Sequence, residues 1–203
     1  MRIGIEINNV LRDTLKKIQQ EYEKWYIENP FLVESDFKYE ITSDVTSLDL
    51  KSHLSFRDDD ELYDFLYKEH TMEIFGHAGS VETFTFNDLN EFYLDMREKH
   101  DIILVSDEIG KSKPATLFFL SKFGCLVESI KFYSESTIDS LWNSIDILLT
   151  ANPSLLLERN ENKIVIKFKT TYNENIDSDY EIQSLSELSQ IISKIKENNY
   201  LSP

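Results

Sequence analysis

Short apolar runs alternate along this chain with stripes of helical period, and that alternation constrains the fold more than any other feature. Ile3, Ile5 and Ile7, followed by Val10 and Leu11, predict a buried strand that runs into a loop. Leu11, Leu15, Ile18, Tyr22 and Trp25 then recur at steps of four and three, the pattern of an amphipathic helix that ends before Pro30. Asn87 reads as the N-cap of a second helix, whose stripe through Leu89, Phe92 and Met96 runs to Lys99. Residues 102–105 form a continuous apolar run of the kind that parallel sheets cover on both faces. Pro114 suits the first turn of a helix carrying Leu117, Phe118 and Leu120, with Gly124 as its stop. Further strands are predicted at 130–133, 145–149 and 164–168, and Ser184 with Glu187 makes a capping box ahead of Leu185, Leu188, Ile191, Ile192 and Ile195. Strands separated by helices require crossover connections, so the predicted class is α/β: a Rossmann-like parallel sheet sandwiched by helices.

Between residues 21 and 84 the pattern loosens. Apolar positions scatter among acidic ones, with one short helix at 61–67 that buries Leu62, Phe65 and Leu66 behind an Asp60 N-cap. This stretch reads as a mainly helical cap insert (21–84) in a core made of 1–20 and 85–203. Trp25, Tyr26, Tyr63, Phe65 and Tyr67 read as core of that cap rather than as a base-stacking pocket. With 203 residues the chain can bury such a core without disulfides or metal.

Charge narrows the partners. The formal net charge of −16 disfavours any grip on a nucleic-acid backbone or an anionic membrane, and favours a protein partner with a basic surface. No apolar run reaches the length of a membrane span, and one Cys with four His offers no zinc set; the expected location is the cytoplasm. The abundance of Asn, Ile, Lys, Asp and Glu suits an AT-rich genome, a phage's among them, in which case the location is the virion or the host cytoplasm.

In folds of this class ligands gather at the carboxyl ends of the strands. The first strand ends in Glu6-Ile7-Asn8-Asn9-Val10-Leu11-Arg12, the second in Ser106-Asp107-Glu108, and a later one in Asp146-Ile147-Leu148-Leu149-Thr150-Ala151-Asn152-Pro153. By position these segments resemble motifs one, two and four of the haloacid dehalogenase (HAD) superfamily, in particular its deoxyribonucleotidase-like branch, and residues 163–173 resemble the last strand and loop of that branch. The resemblance implies an Asp nucleophile at position 6, an Asp acid/base at position 8, a phosphate-binding Ser106, and a magnesium-binding acidic pair at 150 and 151. With Phe119 and Leu120 in the aromatic-aliphatic slot, the Lys of motif three falls on Thr116, while Lys111 and Lys113 lie upstream.

The residues present depart from that chemistry. Glu6 is one methylene longer than Asp, Asn8 cannot exchange a proton near neutral pH, Ala151 offers no ligand and Thr150 only a neutral one. Two readings follow. The first is an inactive, pseudo-nucleotidase protein that is not an enzyme, holds no cofactor or metal, and works by protein binding or assembly, with Glu6, Asn8, Ser106, Asp107 and Lys113 left as ligand-binding positions. The second is an Mg2+-dependent 5′-nucleotidase or phosphatase with Glu6 as an atypical nucleophile and Asp107 or Glu108 rebuilding the cation site. His77, between Gly76 and Gly79, reads as a solvent-facing imidazole in a flexible turn.

Overall fold

The structure is a computed structural model that describes residues 1–28, 48–54, 56–108 and 110–200. Six parallel strands form one sheet: β1 (Arg2–Glu6), β2 (Asp101–Asp107), β3 (Ser129–Tyr133), β4 (Ile147–Thr150), β5 (Ile164–Phe168) and β6 (Tyr180–Ile182), in the order β3-β2-β1-β4-β5-β6. The chain builds outward from β1 to β3 on one side and from β4 to β6 on the other, so the switch point lies beside β1. The α/β class and the parallel sheet expected from the sequence are therefore present. The β6 edge strand and the two short helices α6 (Ile138–Ser144) and α7 (Pro153–Leu157) are additions that periodicity did not reveal.

Period-two alternation divides the strands between two apolar layers. Ile3, Ile5, Ile147, Leu149 and Ile166 face the layer covered by α4 (Thr85–Met96), α5 (Ser112–Lys122) and α8 (Leu188–Tyr200). Val105, Leu148 and Val165 face the other, with Leu141, Trp142 and Leu155 of α6 and α7. At Gly4 the packing is tight: a Cβ there would meet Ile145 Cγ2 at 3.0 Å and Leu148 Cδ1 at 3.3 Å. A third cluster lies over the carboxyl ends of the strands. Ile18 and Tyr22 of α1 (Thr14–Glu28) pack there with Leu54, which follows the short α2 (Leu50–His53), and with Phe56, Phe65, Leu66, Ile74 and Phe75, and Trp25, Tyr26 and Tyr67 cover its edges. Of the cap aromatics, Trp25, Tyr26, Phe65 and Tyr67 thus belong to this apolar cluster, while Tyr63 is exposed and lies against Tyr67 at its edge.

Several helix boundaries differ from the sequence reading. Helix α1 starts at Thr14, because Leu11 and Arg12 turn back to donate their N–H groups to Ile7 O at 3.0 and 2.9 Å. Its predicted stop at Pro30, like the rest of residues 29–47 of the insert, lies outside the described residues. Asn87 sits inside α4, which begins two residues earlier where Thr85 Oγ1 exchanges hydrogen bonds with Glu82 N and O. Asp58 rather than Asp60 caps α3 (Asp59–Asp64), accepting from Glu61 N at 2.8 Å. Two single π turns follow, Phe65–Glu69 and Met72–Gly76. Gly124 follows α5 as expected, with φ +65°. The Ser184–Glu187 capping box is formed; it opens a 3-10 turn that leads into α8. Among the described residues no helix is long and apolar enough to cross a membrane.

Candidate active site

Parallel pairing sets the ends of β1, β2, β3 and β4 side by side, Glu6 opposite Val105 and Asp107 opposite Tyr133. Glu6 is 2% exposed. Its Oε2 accepts from Thr150 Oγ1, and its Oε1 accepts from Tyr133 Oη at 3.0 Å. Burial pushes this carboxyl up to about 7, against the opposing pull of both hydroxyl donors. The Tyr133 phenol is driven upward in turn by its own burial and by the Glu6 charge. Tyr133 was read only as the end of a strand; its position at the carboxyl edge of the sheet that carries Glu6 was the signal for a site residue.

Beside Glu6 the loop after β1 turns at Asn9, whose φ of +59° is the left-handed conformation that favours Gly and that Asn adopts more readily than most side chains. Asn9 Oδ1 also accepts from Leu15 N at 3.0 Å, capping α1. The turn brings Arg12 beneath Asn8, with no exposed surface. Arg12 Nη2 donates to Asn8 Oδ1 at 2.6 Å and to Glu108 Oε1 at 2.5 Å, and Nη1 donates to Thr116 Oγ1 at 2.5 Å and to Phe75 O in the second π turn at 2.7 Å. Its guanidinium carbon lies 5.1 Å from the Phe75 ring centroid and 5.4 Å from that of Phe119. The position that motif three gives to Lys, Thr116, is therefore filled by a hydroxyl that bridges Arg12 and Glu108. Arg12 closes the motif-one segment in the sequence, but its pairing with Glu108 leaves no signal there.

These contacts decide what each expected site residue can do. Ser106 and Asn8 meet, Nδ2 to Oγ at 3.4 Å, but the Ser106 hydroxyl donates to Glu108 Oε1 at 2.9 Å. Glu108 Oε1 takes Arg12, Ser106 and Thr116, while its Oε2 is buried without a hydrogen-bond partner. Ala151 is buried in the main apolar layer. Lys113 lies outside the walls of the cavity above Glu6, its Nζ 5.4 Å from the Phe132 ring centroid. Exposed His77 stands edge-on to Phe118 at 5.2 Å.

That cavity measures about 190 Å³. Glu6, Asn8, Asp107 and Asn152 form its polar floor, and Leu66, Tyr67 and Phe75 its apolar roof. Burial raises the Asp107 carboxyl, with the neighbouring Glu108 and Glu135 charges in support, and pushes the Tyr67 phenol up to about 12. A larger cavity of about 520 Å³ lies between α1 and residues 170–172 and shares Asn9 and Leu15 with the first. The donor set does not fit a magnesium ion. Both Glu6 oxygens take protein hydroxyls, Asn8 Oδ1 takes Arg12 and also Thr14 Oγ1, and no three acidic, His or Cys side chains among the described residues are grouped to hold a metal.

No family model matches the sequence, and no curated protein matches it. Solved structures do. The chain is similar to CbbY from Rhodobacter sphaeroides in complex with phosphate (10% identity, 92% of this chain and 95% of that one, TM-score 0.59). It is also similar to a HAD-superfamily hydrolase of subfamily IA, variant 1, from Geobacter sulfurreducens (8% identity, 94% and 95%, TM-score 0.58). A third match is a haloacid dehalogenase-like hydrolase from Xanthomonas campestris (9% identity, 98% and 96%, TM-score 0.54). At this identity the likeness establishes the fold: a HAD-like Rossmann-type sheet. It also corrects the first functional reading. The structures that share this fold over nearly all of both chains are hydrolases, so the expectation of a non-enzyme gives way.

Proposed function

We propose that this chain is a hydrolase of small phosphomonoesters, with Glu6 as the covalent nucleophile. The observation that carries the reading is the placement of Glu6: the last residue of the central strand, at the floor of a roofed cavity, buried and ionising near neutral pH. A carboxylate held there attacks phosphorus, the bond to the leaving oxygen breaks, and that oxygen takes a proton from water. Water then cleaves the acyl phosphate and regenerates Glu6. Asn8 offers the transferred group its Nδ2 as a donor, because Arg12, which can only donate, claims the amide oxygen.

The 190 Å³ cavity accommodates a phosphoryl group and little more, and a nucleoside-sized leaving group extends past Asn9 into the adjoining 520 Å³ space. Deoxynucleoside monophosphates, the substrates of the branch that the motifs resemble, are therefore the first compounds to test. The assay follows phosphate release from a panel of them and of simpler phosphomonoesters. Expected are turnover by the native chain, a loss of about a hundredfold or more in Glu6→Gln, and a rate that rises with pH through about 7 as Glu6 ionises. Equal release by the native chain and Glu6→Gln refutes the reading.

A further inference from the structure

We infer that this site binds the anionic group of its substrate without a divalent cation, through the Asn8 carboxamide, and that the buried Arg12–Glu108 pair is the device that positions it. The inference deepens the hydrolase reading and rests on it for the identity of the site.

Three observations carry it. First, the oxygens that face a cation in a carboxylate-metal site are occupied here by protein donors: Tyr133 and Thr150 on Glu6, Arg12 and Thr14 on Asn8. The Glu6 oxygens keep a lone pair each, which Glu6 needs for attack, but an ion sharing them would lack the carboxylate ligands of positions 150 and 151, where the chain carries Thr150 and Ala151. Second, Arg12 is completely buried yet satisfied by five different partners: Asn8 in the β1 loop, Thr14 at the start of α1, Glu108 after β2, Thr116 on α5 and Phe75 in the second π turn. A charge so buried is costly and is kept in place by its pairing with Glu108. Third, because guanidinium has no acceptor, the amide of Asn8 has only one orientation compatible with its neighbours: oxygen to Arg12 and Thr14, Nδ2 to Ser106 and the cavity wall. A residue in the acid/base position has thereby become a fixed donor, suited to a phosphoryl or carboxylate oxygen.

The test uses the full chain with inorganic phosphate as probe, titrated calorimetrically in EDTA and again in MgCl2. The expected dissociation constants agree within error, and MgCl2 alone leaves the melting temperature unchanged. Asn8→Ala is expected to weaken phosphate by about tenfold or more, the value of one hydrogen bond to a charged group. Arg12→Lys keeps the charge but not the fork; it is expected to weaken phosphate and to shift the Asn8 side-chain amide resonance, assigned by its absence in Asn8→Ala. Should Arg12→Lys fail to fold, Glu108→Gln, which keeps an acceptor of the same shape, reads the same resonance. A purely structural Arg12 lowers the melting temperature and leaves the affinity of the folded molecules as it was, and that result overturns the positioning role. Phosphate binding that needs Mg2+, a saturable Mg2+ shift in melting, or no phosphate binding at all overturns the inference. Turnover that strictly requires Mg2+ preserves the hydrolase reading and sinks this one; metal-independent phosphate binding with no turnover of any ester does the reverse.

Discussion

Glu6 holds a local conflict between burial and hydrogen bonding. It is 2% exposed, yet its two hydroxyl donors stabilise the ionised form, and burial wins by raising the carboxyl from its ordinary 4.5 to about 7. A group whose pKa is raised on folding contributes stability that is fully present below the unfolded value and is lost as pH rises through the folded one. For Glu6 that window runs from about 4.5 to about 7. Glu6→Gln carries no such pH dependence, and its amide can still accept and donate between Tyr133 and Thr150. Urea unfolding of the variant is expected to show a gain over the native chain at pH 8 relative to pH 5 of about 3 kcal/mol. A stability difference that stays flat across this range means that Glu6 is solvated. The sequence marked Glu6 as the residue at the nucleophile position; it gave no sign of the Tyr133 hydroxyl, 127 positions away, because that pairing exists only once β3 and β1 lie in one sheet.

The turn from β1 into α1 shows the same division at the level of elements. The strand and the helix were legible because each buries a face with its own period, Ile3 and Ile5 on one and Leu15, Ile18 and Tyr22 on the other. Their junction was misplaced by three residues, since Leu11 continues the helical spacing but belongs to the loop. Asn9 makes the junction: it takes the left-handed conformation and caps α1 through Leu15 N. Asn9→Gly retains the conformation and loses only the cap, for an expected cost below about 1 kcal/mol. Asn9→Val loses the cap and forces a β-branched residue to a positive φ, for an expected cost of about 2–3 kcal/mol by chemical denaturation. Equal costs for the two substitutions contradict the strained-turn account. The early start of α4 has a similar origin, because the Glu82–Thr85 exchange competes with Asn87 for the helix start and only the folded chain shows which prevails.

Across the whole molecule, the Arg12–Glu108 pair ties together the loop after β1, the end of β2, α5 and the π turn that roofs the cavity. Truncating one partner strands the other charge in an apolar setting, so Arg12→Met and Glu108→Met are each expected to cost about 3–5 kcal/mol, and the double variant clearly less than their sum. Strict additivity in a denaturation cycle refutes the buried pairing. The sequence by itself determined the layers: five of the six strands are visible as apolar segments, and with helical stripes between them they fix an α/β sheet because periods of 2 and 3.6 are local properties that burial reads directly. It also placed Glu6, Asn8, Ser106 and Thr150 at strand ends. What those side chains do was decided by tertiary structure alone. Whether Asn8 presents its oxygen or its nitrogen, whether Ser106 serves a ligand or Glu108, and whether Glu6 faces a metal or two hydroxyls all depend on partners up to 144 positions apart. Such hydrogen bonds leave no periodic trace in a chain, because they are set by where the strands end in space and not by which face each residue occupies.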